Sequence, residues 1–217
     1  MSLKINEIFF SIQGEARYAG FPCAFVRLTG CNLRCAYCDT RYAYDEGREM
    51  SLDQIQRALG RYPARLVEIT GGEPLLQAET PQLITRLADD GYTVLLETNG
   101  TVSIEAVDSR AVIIMDIKCP DSGMADRTLW ENIDILKPAD EVKFVIGSRA
   151  DYTWALDVID RYRLAERHAV ILSPAAGILE PRELAEWMLA SPETARGNIR
   201  LQLQLHKLIW PHVERGV

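Results

Sequence analysis

Seven short runs of β-forming residues alternate with amphipathic stretches, and this alternation restricts the fold more than any other feature of the sequence. Several of the runs are apolar throughout, as is typical of parallel strands that are covered on both faces. The alternation predicts a single α/β domain over residues 1–217, built around a parallel sheet. The predicted strands are residues 23–30, 66–70, 93–98, 111–118, 141–147, 169–174 and 199–205.

Four of the intervening stretches have the apolar spacing of amphipathic helices. Ser51 is a suitable N-cap for the first helix, and Pro81 and Gly91 suit the start and the end of the second. Residues 101–110 lack this spacing, and we expect them to form an irregular connection. The predicted helices are residues 51–62, 81–91, 152–162 and 181–190.

The bulk properties of the chain argue against several classes of protein. A net charge of −7 and a pI of about 5.1 disfavour a nucleic-acid-binding surface. No apolar run approaches the roughly 20 residues of a membrane span, and the N-terminal residues lack the basic start of a signal peptide. We therefore expect a cytoplasmic protein, in which thiols stay reduced.

The residues with distinctive chemistry lie directly after predicted strands. The cysteine-rich segment 30–40 follows the first strand, 70–74 (Thr-Gly-Gly-Glu-Pro) the second, 97–100 (Glu-Thr-Asn-Gly) the third and 116–118 (Asp-Ile-Lys) the fourth. Because the carboxyl ends of parallel strands meet at one edge of a sheet or barrel, the four segments are expected to form one site.

Three of the five cysteines form the pattern Cys31-x(3)-Cys35-x(2)-Cys38. Three thiolates at this spacing suit a four-iron cubane cluster that is held at three corners, which leaves the fourth iron open to a small molecule. A zinc site remains an alternative, although the pattern has no second pair and none of the three histidines lies at finger spacing. An inert cysteine-rich loop is the other alternative, whereas a thioredoxin-like pair would leave Cys31 unexplained.

The two remaining cysteines are expected to have other roles. Cys23 begins a predicted strand and is expected to be a small packed residue. Cys119 lies in the predicted rim loop, where a spectator thiol is favoured over a fourth cluster ligand.

The cysteine pattern followed by Gly-Gly-Glu-Pro resembles the radical S-adenosylmethionine superfamily. By itself, Gly-Gly-Glu-Pro could be only a strand-to-helix turn. The resemblance implies that the amine and carboxylate of S-adenosylmethionine chelate the open iron of a 4Fe–4S cluster. It further implies that an electron from the cluster cleaves the sulfonium and yields a 5′-deoxyadenosyl radical, which abstracts hydrogen. The implied cluster ligands are Cys31, Cys35 and Cys38.

Four features resemble the 7-carboxy-7-deazaguanine synthase family within that superfamily. They are NEIFFSIQGEARYAG at 6–20, Cys-Asp-Thr at 38–40, ITGGEP with LETNGT at 96–101, and the tail LQLQLHKLIWPHVERGV. The resemblance implies a partial (β/α) TIM-like barrel with some helices reduced, and a homodimer.

In that family, 6-carboxy-5,6,7,8-tetrahydropterin is converted to 7-carboxy-7-deazaguanine and ammonia for queuosine and other 7-deazapurines. S-adenosylmethionine is regenerated, Mg²⁺ assists, and a donor such as flavodoxin supplies the electron. Thr40 matches the Mg²⁺ ligand; from the sequence alone, a cap on the next turn is favoured for this threonine.

The resemblance also assigns residues to the cofactor and to the substrate. The positions matching the S-adenosylmethionine site are Tyr37 (against the adenine), Cys38, Asp39, Gly71, Gly72, Glu73, Asp116, Ile117 and Lys118. The positions matching the substrate site are Ile12, Gln13, Gly14, Glu15, Arg27, Thr70, His206 and Val217.

Some of these assignments have alternatives. Arg27 matches a carboxylate clamp, although it could instead be a surface residue of its strand; a charge within an apolar parallel strand is uncommon. His206 could equally be a structural histidine. Asp-Ile-Lys at 116–118 departs from the family's Ser-Pro-Lys, and Ala16 stands where the family commonly has glycine.

Two other functions compete with the synthase. A glycyl-radical activase of the same superfamily would need neither pterin contacts nor Mg²⁺, and Cys-Asp-Thr at 38–40 disfavours it. An iron–sulfur electron carrier would have no need of Gly-Gly-Glu-Pro or of a 217-residue α/β scaffold.

Overall fold

One twisted sheet organises the computed structural model, which describes the backbone of residues 1–217 and all side chains apart from that of Arg196. The described backbone forms nine strands: β1 Ser2–Ile12, β2 Pro22–Leu28, β3 Arg48–Ser51, β4 Leu66–Gly71, β5 Thr93–Thr98, β6 Val112–Asp116, β7 Glu141–Ile146, β8 Ala169–Pro174 and β9 Ile199–Leu201. The helices are α1 Leu52–Leu59, α2 Thr80–Asp89, α3 Asn132–Ile135, α4 Arg149–Arg161, α5 Leu164–Arg167, α6 Pro181–Ala190, α7 Pro192–Arg196 and α8 Leu205–Ile209. Among these described helices, none combines the length and the apolar character needed to cross a membrane.

The strand order is β3-β1-β2-β4-β5-β6-β7-β8-β9. All pairs from β2 to β9 are parallel, which confirms the predicted α/β class and agrees with a partial (β/α) barrel.

The sequence pattern did not predict β1 and β3, which pair antiparallel at one edge. A register shift between Ile5 and Glu7 breaks the two-residue period of β1, and β3 is only four residues long.

The helix boundaries follow the predicted capping residues. Ser51 caps α1 through a capping box, in which its hydroxyl accepts from the Gln54 amide and the Gln54 side chain accepts from the Ser51 amide. Pro81 lies in the first turn of α2, and Gly91 follows that helix with a φ of +81°. Residues 101–110 contain no helix or strand in the described backbone, as predicted.

The C-terminal segment closes the gap between β9 and the loop after β1. The predicted strand 199–205 is shorter in the structure and ends at Leu201; the next side chain, Gln202, binds both the amide and the carbonyl of Ala16, at 2.5 and 2.9 Å. Ala16 has a φ of +61°, a conformation that favours glycine and explains why glycine is common there in the resembled family. In the described backbone the two edge strands β3 and β9 do not pair with each other, and the gap is bridged by the Gln202 side chain and by a backbone hydrogen bond from Leu205 to Gly14.

The two faces of the sheet carry different residues. Outward side chains such as Val67 and Ile69 of β4 pack against the helices, while Glu68 and Thr70 of the same strand point into the barrel. The lower half of the interior is an apolar plug formed by Phe9, Ala16, Cys23, Phe25, Leu66, Leu95, Ile114 and Ile171. Polar side chains occupy the interior beyond this plug, toward the carboxyl ends of the strands.

Candidate active site

A cavity of about 320 Å³ lies at the carboxyl ends of the parallel strands, above the apolar plug. The sequence-predicted site residues that line it are Ile12, Gln13, Gly14, Glu15, Arg27, Cys31, Cys35, Tyr37, Cys38, Asp39, Thr40, Thr70, Gly71, Gly72, Asp116, Lys118, His206 and Val217. Glu73 and Ile117 do not line the cavity: both are fully buried, with no exposed surface.

The three cysteines of the loop after β2 converge on one side of this cavity, and each is half-buried. The Cys38 amide donates to the Cys35 carbonyl at 3.2 Å, which forms the turn between the last two cysteines. The Cys31 sulfur faces the Leu33 amide at 3.4 Å and the Asn99 side-chain nitrogen at 3.9 Å. Such N–H groups stabilise a thiolate that is bound to metal.

The arrangement of the cysteines fits a cubane cluster. Among the described side chains, no three His, Cys, Asp or Glu groups converge as they would on a single metal ion. A cubane instead takes one thiolate at each of three irons, so its ligands stand apart. Burial raises the pKa of Cys31 and of Cys35, while the nearby Lys118 ammonium opposes this rise and favours the ionised thiols that a cluster needs.

The Gly-Gly-Glu loop packs directly on the start of the cysteine loop. A side chain at Gly71 would overlap the Leu28 backbone, and one at Gly72 would overlap the Gly30 carbonyl, so only glycine fits at either position. The Glu73 amide donates to the Gly30 carbonyl at 2.8 Å.

The Glu73 carboxylate connects this loop to the end of β5. It accepts from the Leu75 amide at 3.0 Å, the Thr98 hydroxyl at 2.9 Å and the Asn99 amide at 2.7 Å. The side chain therefore has a structural role, and a contact between Glu73 and S-adenosylmethionine through the backbone remains a prediction.

Asp116 and Tyr37 provide the polar groups on the β6 side of the cavity. Asp116 is bound to Lys118 at 2.9 Å through one carboxylate oxygen, whereas its buried Oδ1 has no partner among the described atoms. A buried acceptor of this kind is costly unless a ligand donor reaches it, and a ribose hydroxyl is such a donor. The Tyr37 hydroxyl donates to the Val145 carbonyl at 3.2 Å, which fixes the ring beside the cysteines.

The other two cysteines are buried away from this rim. Cys23 belongs to the apolar plug, which confirms its prediction as a packed residue. Cys119 has no exposed surface and packs among the side chains between the sheet and the helices. Burial raises its pKa well above the ordinary value for a thiol, as expected of a spectator.

A layer of ionisable side chains forms the floor of the cavity. We call it the charged layer; its members are Glu15, Glu68, Glu97, Asp116, Lys118 and Lys143. Lys143 of β7 is ion-paired with Glu15 at 2.9 Å and with Glu97. Glu68 and Lys143 were not predicted as site residues, and Glu97 was predicted only as a member of the segment 97–100. These residues could have been identified from the sequence by the argument used for Arg27, because each is a charged residue within an otherwise apolar parallel strand.

The pKa values within the charged layer move in opposite directions. Burial, together with the neighbouring Glu97 charge, raises the pKa of Glu68 to about 8, so this carboxyl is protonated at neutral pH. Removal from water would also raise the pKa of Glu97, but the Lys143 ammonium outweighs it and leaves the pKa below its ordinary value. The layer therefore holds one neutral acid beside an ionised one.

The loop after β1 forms the opposite wall together with the C-terminal helix. The Gly14 carbonyl accepts from the Leu205 amide at 3.1 Å, and a side chain at Gly14 would overlap the His206 ring. Glu15 accepts from the Gln204 side chain at 3.0 Å. Burial lowers the pKa of His206, so the imidazole is mainly neutral at pH 7.

Arg27 points into the cavity from β2 and is not a surface residue, because only 14% of its side chain is exposed. Its Nε donates to Glu7 at 2.8 Å, and the Tyr42 hydroxyl donates to the same carboxylate oxygen at 3.0 Å. This anchor uses Nε and leaves the two terminal nitrogens of the guanidinium for a ligand, the geometry that binds a carboxylate bidentately.

Thr40 lies two residues after the last cysteine of the loop. It precedes a short 3₁₀ turn, yet within the described residues its hydroxyl makes no capping hydrogen bond and donates instead to Asp39 at 2.9 Å. The cap favoured from the sequence is therefore wrong. Asp39 is ion-paired with Lys207 at 2.8 Å, and both line the cavity. The Thr40 oxygen is thus available as a hard ligand for a cation.

The comparisons with known proteins identify the family of the chain. The model of the radical SAM superfamily matches residues 25–113. A 7-carboxy-7-deazaguanine synthase of Chlorobaculum tepidum is 46% identical over 218 residues, covering 99% of this chain and 97% of the relative. Another 7-carboxy-7-deazaguanine synthase, of Koribacter versatilis, is 44% identical over 230 residues, covering 99% of this chain and all of the relative. Among solved structures, QueE from Escherichia coli has a TM-score of 0.78 over 94% of each chain; its 24% identity shows the fold alone.

Proposed function

The chain belongs to the 7-carboxy-7-deazaguanine synthase family of radical S-adenosylmethionine enzymes, and we propose that it converts 6-carboxy-5,6,7,8-tetrahydropterin to 7-carboxy-7-deazaguanine and ammonia. This reaction is a ring contraction that serves queuosine and other 7-deazapurines. The observation that carries the proposal is a single cavity with three cysteines on one side and Arg27 with the loop after β1 on the other. No observation favours the activase or the electron carrier.

The superfamily implies a 4Fe–4S cluster and S-adenosylmethionine, which when bound would supply the one-electron chemistry that starts the reaction. Cys31, Cys35 and Cys38 would hold the cluster. Asp116 would accept a hydrogen bond from the ribose, and Lys118 would keep that carboxylate ionised. The other residues proposed to contact the cofactor are Tyr37, Asp39, Gly71, Gly72, Glu73 and Ile117.

The substrate would lie above the charged layer. The Arg27 guanidinium would bind its carboxylate, and the backbone of residues 12–14 would bind the edge of the pterin. Glu15, Thr70, His206 and Val217 would complete this side of the site. Because the cavity floor is lined by buried polar groups, the protein would replace water around the substrate by fixed donors and acceptors.

We expect the anaerobically reconstituted protein to bind about four irons per chain and to form 7-carboxy-7-deazaguanine and ammonia in equal amounts. The assay contains S-adenosylmethionine, a reductant, Mg²⁺ and the carboxypterin, with products separated by chromatography. S-adenosylmethionine should not be consumed in proportion to product. Iron binding without any deazaguanine would contradict the proposed substrate while leaving the cluster in place.

We further propose that Thr40 binds Mg²⁺ through its hydroxyl, with other ligands from the substrate and water. Thr40→Val keeps the shape of the side chain but removes this oxygen, so we expect product formation to fall about tenfold or more and to lose its dependence on added Mg²⁺. Iron content should not change. The measurement is a Mg²⁺ titration of the rate after chelation.

Thr85→Val is a suitable control for this test, because that hydroxyl donates to the Pro81 carbonyl within α2, away from the residues that line the cavity. It should keep the Mg²⁺ response of the wild type. An unchanged response in Thr40→Val would refute the assignment.

The remaining proposals follow from the family and not from the geometry of the cavity. We propose that residues 1–217 act as one domain in the cytoplasm, as a homodimer, and that a donor such as flavodoxin reduces the cluster. Sedimentation of the purified protein and reduction by flavodoxin in place of a chemical reductant would test the last two.

A further inference from the structure

Lys143 occupies the centre of the charged layer, and 3% of its side chain is exposed. Its ammonium lies 2.9 Å from Glu15 Oε2 and 3.4 Å from Asp116 Oδ2, and it also pairs with Glu97. The three carboxylates come from the loop after β1, the end of β5 and the end of β6. One cation thus joins three separate elements of the cavity floor.

The arrangement differs from the ion pairs at the other end of the barrel. There, the buried Glu141 pairs with Arg200 at 2.6 Å and with Arg17 at 4.0 Å, away from the residues that line the cavity, and both arginine side chains are more than a third exposed. A buried ammonium needs compensation for its lost hydration, and one carboxylate can provide much of it. Lys143 instead binds carboxylates that themselves line the cavity.

Glu15 and Glu97 each accept hydrogen bonds from the protein at both carboxylate oxygens. Glu15 receives Lys143 at Oε2 and the Gln204 side chain at Oε1. Glu97 receives Lys143 at Oε1 and the Thr70 hydroxyl at Oε2. Each oxygen can still accept a second hydrogen bond, so the two groups are acceptors of fixed orientation at the cavity surface.

We propose that Lys143 is a positioning residue that holds Glu15 and Glu97 as oriented acceptors for the N–H groups of the substrate's heterocycle. The inference rests on the proposed function. A reduced pterin carries several N–H donors and no charge on its ring, so it is complementary to fixed carboxylates. Hydrogen bonds from a neutral donor to a charged acceptor are the stronger kind.

The charges of the groups around Lys143 determine how its removal would affect the neighbouring carboxylates. Lys118 is already bound to Asp116, and His206 on the facing C-terminal helix is mainly neutral. Glu68 on β4 is protonated at neutral pH and adds no charge. Without Lys143, the neighbouring carboxylates would repel each other, and the pKa of Glu97 would rise because the ammonium is what lowers it.

The test compares Lys143→Met with Arg200→Met, which removes a cation from a buried carboxylate outside the cavity. For Lys143→Met we expect the KM for the carboxypterin to rise about 30-fold, with kcat less affected. We also expect the acidic limb of kcat/KM to move to higher pH, since protonation of Glu97 becomes easier without the ammonium that lowers its pKa. Arg200→Met should lose thermal stability but keep the KM and pH profile of the wild type.

The wild type is assayed first, so that failure of the proposed function is seen separately as absence of product. If Lys143→Met does not fold, Lys143→Gln replaces it with the same expected changes. A KM within threefold of wild type together with an unmoved acidic limb would overturn the inference. Equal changes in Arg200→Met, or failure of both Lys143 variants to fold, would assign Lys143 a purely structural role and would also overturn it.

Discussion

Replacing Cys35 by alanine is expected to remove the iron–sulfur cluster and to reduce product formation to background, a loss of at least about 10⁴-fold. Cys35 is the middle cysteine of the loop and begins the turn that places Cys38. With two thiolates left, a cubane would be held at only two corners. The measurements are iron and sulfide content, the visible absorbance of the brown protein, and product formation.

Cys119→Ala is the matched control for this test, because it also removes a thiol, but one that is buried away from the residues that line the cavity. The Cys119 side chain is buried among apolar residues, so its loss should cost about 1 kcal/mol of stability and leave the iron content unchanged. Thermal unfolding of both apoproteins separates cluster loss from misfolding. A brown, four-iron Cys35→Ala protein would refute the ligand assignment, and loss of iron in Cys119→Ala would identify a fourth ligand.

Much of the site could be predicted because parallel strands place their carboxyl ends together. The segments after β2, β4, β5 and β6 are far apart along the chain, yet each one reaches the same cavity. Hydrophobic runs fix these strands locally, and the direction of the strands then brings the motifs together. The exceptions are instructive: Glu73 and Ile117 belong to the right motifs, but their side chains pack into the interior instead.

The charged layer could not be predicted in the same way because its contacts depend on closure of the barrel. Glu15 and Lys143 are separated by 128 residues, and their contact requires the loop after β1 to reach β7. A two-residue period shows that alternate residues share a face, but it does not show which face becomes the interior. Strands β1 and β3 were missed for a different reason, since a register shift in β1 and the four-residue length of β3 hide their two-residue period.

Arg27→Met is expected to raise the KM for the carboxypterin about 100-fold or more, with a smaller effect on kcat. The guanidinium is mostly buried and held by Glu7, so its terminal nitrogens bind the substrate carboxylate without further ordering. Truncating one partner of a buried charge pair typically costs about 2–5 kcal/mol, which corresponds to roughly 30- to 5,000-fold in affinity. The KM is measured from initial rates, at saturating S-adenosylmethionine.

A pterin without the carboxylate tests whether the rise in KM comes from loss of the contact between Arg27 and the substrate carboxylate. As an inhibitor, it should bind the wild type much more weakly than the carboxypterin does, whereas Arg27→Met should bind both with similar affinity.

Because the substitution also leaves Glu7 without its cation, Arg27→Met/Glu7→Gln should show the same high KM. Glu7→Gln alone keeps the guanidinium and should change the KM less than about tenfold. If Arg27→Met still discriminates between the two pterins as the wild type does, another residue binds the carboxylate and the substrate must lie differently in the cavity.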